Sequence, residues 1–116
     1  MKKSLLLAAL LLSSAAQAET YVCSEPLSDG SSYLHTFVRQ DTGFSQQITG
    51  PEFRSKSYPH EILVETDAML TLAEINPDGT KITIFMINKI TNQFVNDAIT
   101  FDGELSKAQG SCVEVL

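Results

Sequence analysis

The chain has 116 residues, two cysteines, two histidines and no tryptophan, with 14 acidic against 8 basic residues for a formal net charge of −6. That length suits one domain with a modest core. The acidic balance argues against nucleic acid or an anionic membrane as partner, because phosphate binding needs clustered Lys and Arg.

Residues 1–18, MKKSLLLAALLLSSAAQA, combine a positive start at Lys2 and Lys3, an apolar run from Leu5 to Leu12, and a small-x-small site at Ala16-Gln17-Ala18. These are the three parts of a secretory signal peptide, and the apolar run is too short to span a bilayer. Cleavage is expected after Ala18. The next residue is Glu19, not the cysteine of a lipoprotein, so a soluble exported protein is expected, in the periplasm of a Gram-negative cell or secreted. What remains, 19–116, is a single small β domain. It loses Lys2 and Lys3 but no carboxylate, which takes the net charge to −8. Surplus carboxylates favour solubility and leave room for a cationic partner.

Residues 20–24 (TYVCS) form a short strand pattern, followed by the turn-rich SEPLSDGSS. In 33–40 (YLHTFVRQ), Tyr33, His35, Phe37 and Arg39 share one face and Leu34, Thr36 and Val38 the other. Asp41-Thr42-Gly43 signals a tight turn, and 44–49 (FSQQIT) a weaker strand. The longest connection is 50–59, GPEFRSKSYP. Residues 61–66 (EILVET) and 69–75 (MLTLAEI) predict two strands or one bent strand, and a single helix over 61–75 is the alternative. Asn76-Pro77-Asp78-Gly79-Thr80 is a strong hairpin turn.

Residues 81–87 (KITIFMI) are apolar on both faces: Ile82, Ile84 and Met86 on one, Thr83, Phe85 and Ile87 on the other. A central strand with one face in the core is expected. The second face needs a cover: the 50–59 connection, a helix, a partner or a cavity. A turn at 88–92, a strand at 93–101, a polar loop from Asp102-Gly103 to Gln109 and a last strand at 110–115 complete the chain. Short strands joined by local turns predict an all-β antiparallel meander of about seven or eight short strands, a closed or half-closed barrel.

Cys23 and Cys112 lie 89 positions apart near opposite ends. Export to an oxidising compartment favours a disulfide between them, which would make the first and last strands neighbours. With only His35 and His60 besides, they show no metal-ligand spacing. No catalytic arrangement stands out. His35 lacks a motif-supplied nucleophile and is expected to be a partly exposed strand histidine. Glu65 with Asp67, and Asp102 with Glu104, fit solvated turns. There is no GxSxG, Walker-type or dinucleotide-binding fingerprint. No enzyme activity, metal or cofactor is expected. The connection from 50 onwards differs: Phe53, Arg54, Lys56, Tyr58 and His60 make it the candidate binding loop of an otherwise acidic chain.

Tyr21-x-Cys23, Ile87-x-Lys89-x-Thr91-x-x-Phe94 and Gly110-x-Cys112 resemble a type of small exported Gram-negative β-protein that implies no activity. Tyr21-Val22-Cys23 is also similar to periplasmic inhibitors of c-type lysozyme, small barrels with a cysteine near each end. Their inhibitory loop carries Ser-Gly-x-x-Tyr, whereas this chain has Arg54-Ser55-Lys56-Ser57-Tyr58, without the glycine. The expected function is a non-enzymatic periplasmic or secreted binding protein. The alternatives are an inhibitor of a cationic enzyme such as lysozyme, suggested by the net charge, and a carrier of a small apolar ligand, suggested by the two-sided strand.

Overall fold

A computed structural model describes residues 18–52, 56–75 and 78–115. Residues 1–17 of the expected signal peptide, and Phe53 and Arg54 of the candidate loop, lie outside the described residues.

Eight antiparallel strands follow one another around a closed barrel: β1 (Thr20–Pro26), β2 (Ser32–Gln40), β3 (Gly43–Thr49), β4 (Ser57–Glu65), β5 (Met69–Ile75), β6 (Lys81–Asn88), β7 (Gln93–Thr100) and β8 (Leu105–Val115). Each strand pairs with its sequence neighbours, and β1 closes onto β8. Closure satisfies backbone groups that an open sheet would leave exposed along two edges. The helical alternative over 61–75 gives way to β4 and β5. Residues 66–68 turn the chain there, with the Thr66 hydroxyl accepting from the Ala68 and Met69 N–H groups at 3.2 and 3.0 Å. A β-bulge between Ile62 and Val64 inserts Leu63, which breaks the alternation and leaves Leu63 and Val64 both exposed.

Two expected boundaries move. The connection after β3 is shorter than 50–59, because Ser57, Tyr58 and Pro59 already belong to β4, paired with Gln47, Gln46 and Ser45. The polar loop after Asp102-Gly103 ends at Glu104, since 105–109 extend β8 against β7. Polar composition suggested a loop, but cross-strand pairing with Val95 to Ile99 makes it strand.

The seam is a disulfide. Cys23 and Cys112 are direct cross-strand partners with Cα atoms 4.0 Å apart, and both are buried. Next to it, a Cβ on Gly110 would lie 1.9 Å from the Ser24 carbonyl oxygen and 2.7 Å from the Phe94 ring. Only glycine lets β8 approach β1 and the core this closely. Gly43 is needed for a second reason. Its φ of +131° falls in the region glycine favours, and a Cβ there would meet the His60 carbonyl oxygen at 2.2 Å.

Strand alternation sends one set of side chains inward. Tyr21, Phe37, Phe44, Leu70, Leu72, Phe85, Ile87 and Phe94 pack with the disulfide into the core. On β6 it is Phe85 and Ile87 that are buried; Ile82 on the other face is exposed, and Ile84 and Met86 are half-buried. No described part of the chain forms an outer layer over that face.

Candidate functional site

The apolar core fills only part of the barrel. Along β1 the inward positions run Tyr21, Cys23, Glu25; along β5, Leu70, Leu72, Glu74; along β7, Phe94, Asn96, Ala98. Along β6, running the opposite way, they are Lys81, Thr83, Phe85 and Ile87. These four strands thus carry their large apolar side chains towards one end of the barrel and mostly polar or small ones towards the other.

The apolar end is closed. Arg39 lies over the Phe44 ring, 4.8 Å from its centre. Its Nε donates to Glu19 Oε2 at 2.7 Å, and it also donates to Glu65. The Tyr21 hydroxyl donates to the other Glu19 oxygen at 2.5 Å. Burial works to raise the Glu19 carboxyl, but the hydrogen bonds from Tyr21 and Arg39 outweigh it and hold the group below its ordinary value. Burial, then the Glu19 carboxylate, pushes the Tyr21 hydroxyl far above its ordinary range. Glu65, expected in a solvated turn, is thereby part of the closure.

The polar end opens into a cavity of about 400 Å3. Glu25, His35, Gln46, Glu74, Thr83 and Asn96 line it, with Tyr33, Tyr58, Lys81 and Ser106 among the other bordering residues. The size falls in the range of about 300–1,000 Å3 common for small-molecule sites. His35 forms part of its floor. The ring sits 5.4 Å from Phe85 and 5.9 Å from Phe94, and Phe85 stacks on Phe94 at 4.6 Å. Gln46 Nε2 donates to His35 Nδ1 at 2.9 Å, so the ring proton sits on Nε2 and is donated to Glu25 Oε1, also at 2.9 Å. His35 is therefore not the partly exposed histidine expected: it is 4% exposed. Closure of the barrel folds its face inwards.

Two acceptors on the wall are poorly served. Asn96 Oδ1 is buried with no hydrogen-bond partner among the described residues. Glu74 is half-buried, and loss of water raises its carboxyl above the ordinary value against the opposing charge of Lys81. Buried acceptors left unpaired cost free energy that a donor would recover.

The candidate binding loop is rearranged. Lys56 is exposed beside the open end, but Tyr58 and His60 are strand residues of β4. Tyr58 borders the cavity. His60, expected in a loop, is 3% exposed and set edge-on against Phe37 at 5.5 Å. Its Nδ1 donates to the Tyr58 carbonyl at 3.1 Å, while Nε2 is buried with no partner among the described residues. Pro59 and the preceding loop-type composition hid this strand. Glu25, Gln46, Glu74 and Asn96 were missed as site residues, although a signal existed. Each is a polar residue at a core-facing position of an alternating strand.

Burial lowers the His60 pKa from its ordinary 6.5, opposed by the hydrogen bond to Tyr58 and aided by His35. The folded protein then binds this proton less readily than the unfolded chain. The stability involved is complete above about pH 6.5 and is lost as pH falls through the folded value. His60→Leu should flatten the decline in stability between about pH 7 and pH 5. Urea unfolding at several pH values checks this; an undiminished decline in the variant would show that His60 is not its source.

A second concavity, of about 720 Å3, crosses the outer face of the barrel. Pro26, Met69, Met86, Val95, Gln109 and Ser111 are among its lining residues, none of them charged. It offers apolar contact but none of the convergent charged groups of the lumen.

The architecture defines a class: an up-and-down eight-stranded barrel, plugged at one end and open to a polar lumen at the other. The chain is similar in fold to the crystal structure of a "putative beta-lactamase from Burkholderia vietnamiensis", with a TM-score of 0.61 and 11% sequence identity, over 84% of this chain and 93% of that one. No family model matches the sequence, and no curated protein matches it.

Proposed function

We propose that this is an exported, non-enzymatic binding protein that holds a small polar molecule in the open half of its barrel. The observation carrying this reading is the contrast between the two ends. One is closed by Arg39 and filled with aromatic rings; the other keeps a cavity walled by polar groups without full partners. The disulfide fits an oxidising compartment, and with the signal-type start it supports the periplasm or the cell exterior.

The lining favours a polar ligand over the apolar one first considered, because the apolar half of the interior is filled. The name of the structural neighbour would suggest acyl-transfer chemistry. The side-chain hydrogen-bond partners of His35 are Glu25 and Gln46, with no serine, threonine or cysteine among them for the ring to activate, which supports binding rather than catalysis. Inhibition of a cationic enzyme such as lysozyme stays the second reading, favoured by the net charge of −6, which becomes −8 with the expected loss of Lys2 and Lys3.

Ala98 faces inward and borders the cavity, so Ala98→Trp should fill it. A nuclear magnetic resonance screen of small polar compounds is expected to move signals of Glu25, Glu74 and Asn96 in the wild type and not in the variant. Ala98→Leu provides a milder version should the tryptophan impair folding. Hits whose shifts cluster outside the lumen, or persist unchanged in both variants, would overturn the reading. Unchanged cell-wall lysis by lysozyme with excess protein at low salt would remove the inhibitor alternative.

A further inference from the structure

The lumen reading can be taken to a ligand class through the order of its charged and polar positions. On β6 the inner face begins with Lys81 at the rim, followed by Thr83 and Phe85. Thr83 pairs with Glu74 on one side and Ala98 on the other, and Phe85 pairs with Asn96. A molecule entering therefore passes an ammonium group first, then a carboxylate, then the unpartnered amide oxygen of Asn96. Lys81 and Glu74 are close enough for the lysine charge to act on the carboxyl. Glu25 supplies a second carboxylate, one oxygen of which is engaged by His35. Successive inner positions along a strand lie about 7 Å apart, so the cationic rim and the acceptors below are separated by roughly one step.

Resting on the lumen as the binding site, we infer that the ligand is a small amino-carboxylate zwitterion, its ammonium group held by Glu74 and Asn96 Oδ1 and its carboxylate facing Lys81. The ammonium donates three hydrogen bonds and meets acceptors that lack donors. The carboxylate takes the rim lysine, which offers donors and no acceptor. A neutral ligand would leave the half-buried Glu74 charge with only the Lys81 charge to offset it, and an anion would face it directly. Lys107 is a second cation bordering the cavity.

The test uses four probes of one chain length on the mature protein: 4-aminobutanoate, butylamine, butanoate and 1-butanol, titrated by calorimetry and by nuclear magnetic resonance. 4-Aminobutanoate is expected to bind about tenfold or more tighter than either singly charged probe, since each charge-assisted contact is worth on the order of 1.4 kcal/mol or more. Glu74→Gln should reduce its affinity to about that of butanoate, and Lys81→Met to about that of butylamine. Both sites flank turns, and their folding is checked by unchanged thermal midpoints. Butanoate or 1-butanol binding as tightly as the zwitterion, in a manner abolished by Ala98→Trp, would overturn the ligand class and leave the lumen reading standing. Failure of all four probes to shift any lumen signal would overturn the class. Polar hits of the wider screen that do shift those signals would then keep the lumen reading alive, and their absence would sink both.

Discussion

Phe85→Ala is expected to destabilise the protein by about 3–5 kcal/mol. Phe85 is fully buried and stands at the centre of the aromatic cluster, with ring centres 4.5 Å from Phe37, 4.6 Å from Phe94 and 5.4 Å from His35. Truncation removes its transfer free energy and leaves a void that a closed barrel cannot easily collapse, because every strand is held on both sides. For a domain of this size the thermal midpoint should fall by about 12 °C or more. Ile82 lies three positions earlier on the same strand but points outward and is 43% exposed. Ile82→Thr keeps β-branching and should change stability by no more than about 0.5 kcal/mol. Paired thermal melts of the two variants measure the inside against the outside of one strand. Equal losses would mean that the outer face is buried after all, against another layer or copy.

Replacing both cysteines by alanine should cost about 2–5 kcal/mol, with a midpoint lowered by about 8 °C or more. The bond spans 89 positions and ties β1 to β8, so it constrains nearly the whole unfolded chain. It also holds the one pair of barrel neighbours that are not consecutive in sequence. Seven of the eight pairings are local hairpins, whereas β1–β8 must close the full circuit. The double variant avoids leaving one thiol free; Cys112→Ser alone would expose Cys23 to intermolecular pairing. Thiol titration of denatured, unreduced wild-type protein should find no free thiol. Two per chain would refute the bond. A double variant as stable as the wild type would show that strand pairing alone secures the seam.

Much of this barrel follows from local pattern. Hairpin turns such as Asp78-Gly79-Thr80, where the Asp78 carboxylate accepts from the Thr80 N–H at 3.1 Å and hydroxyl at 2.7 Å, depend on residues adjacent in sequence. So does the alternation that places Tyr33, His35, Phe37 and Arg39 on one face. The pairing of two lone cysteines followed from the expectation of an oxidising compartment and from there being no other cysteine in the sequence. These features are legible because the interactions that make them are short-range or unique. The loop-like start of β4 and the polar start of β8 were not legible, since their strand character comes from hydrogen bonds to β3 and β7.

The site was less visible than the fold. Chemistry-bearing composition pointed to the connection after Gly50, and of its described members only Tyr58 borders the lumen. Which face of β6 would be inside was open, because both faces are apolar, and closure selected Phe85 and Ile87. By itself the chain determined an all-β meander, its turns and its cysteine pairing. Only the tertiary structure decided that Glu25, His35, Gln46, Glu74 and Asn96, drawn from five strands, share one cavity. Strand alternation assigns a residue to a face, but the curvature and stagger of a closed sheet decide which faces meet and at which end space remains.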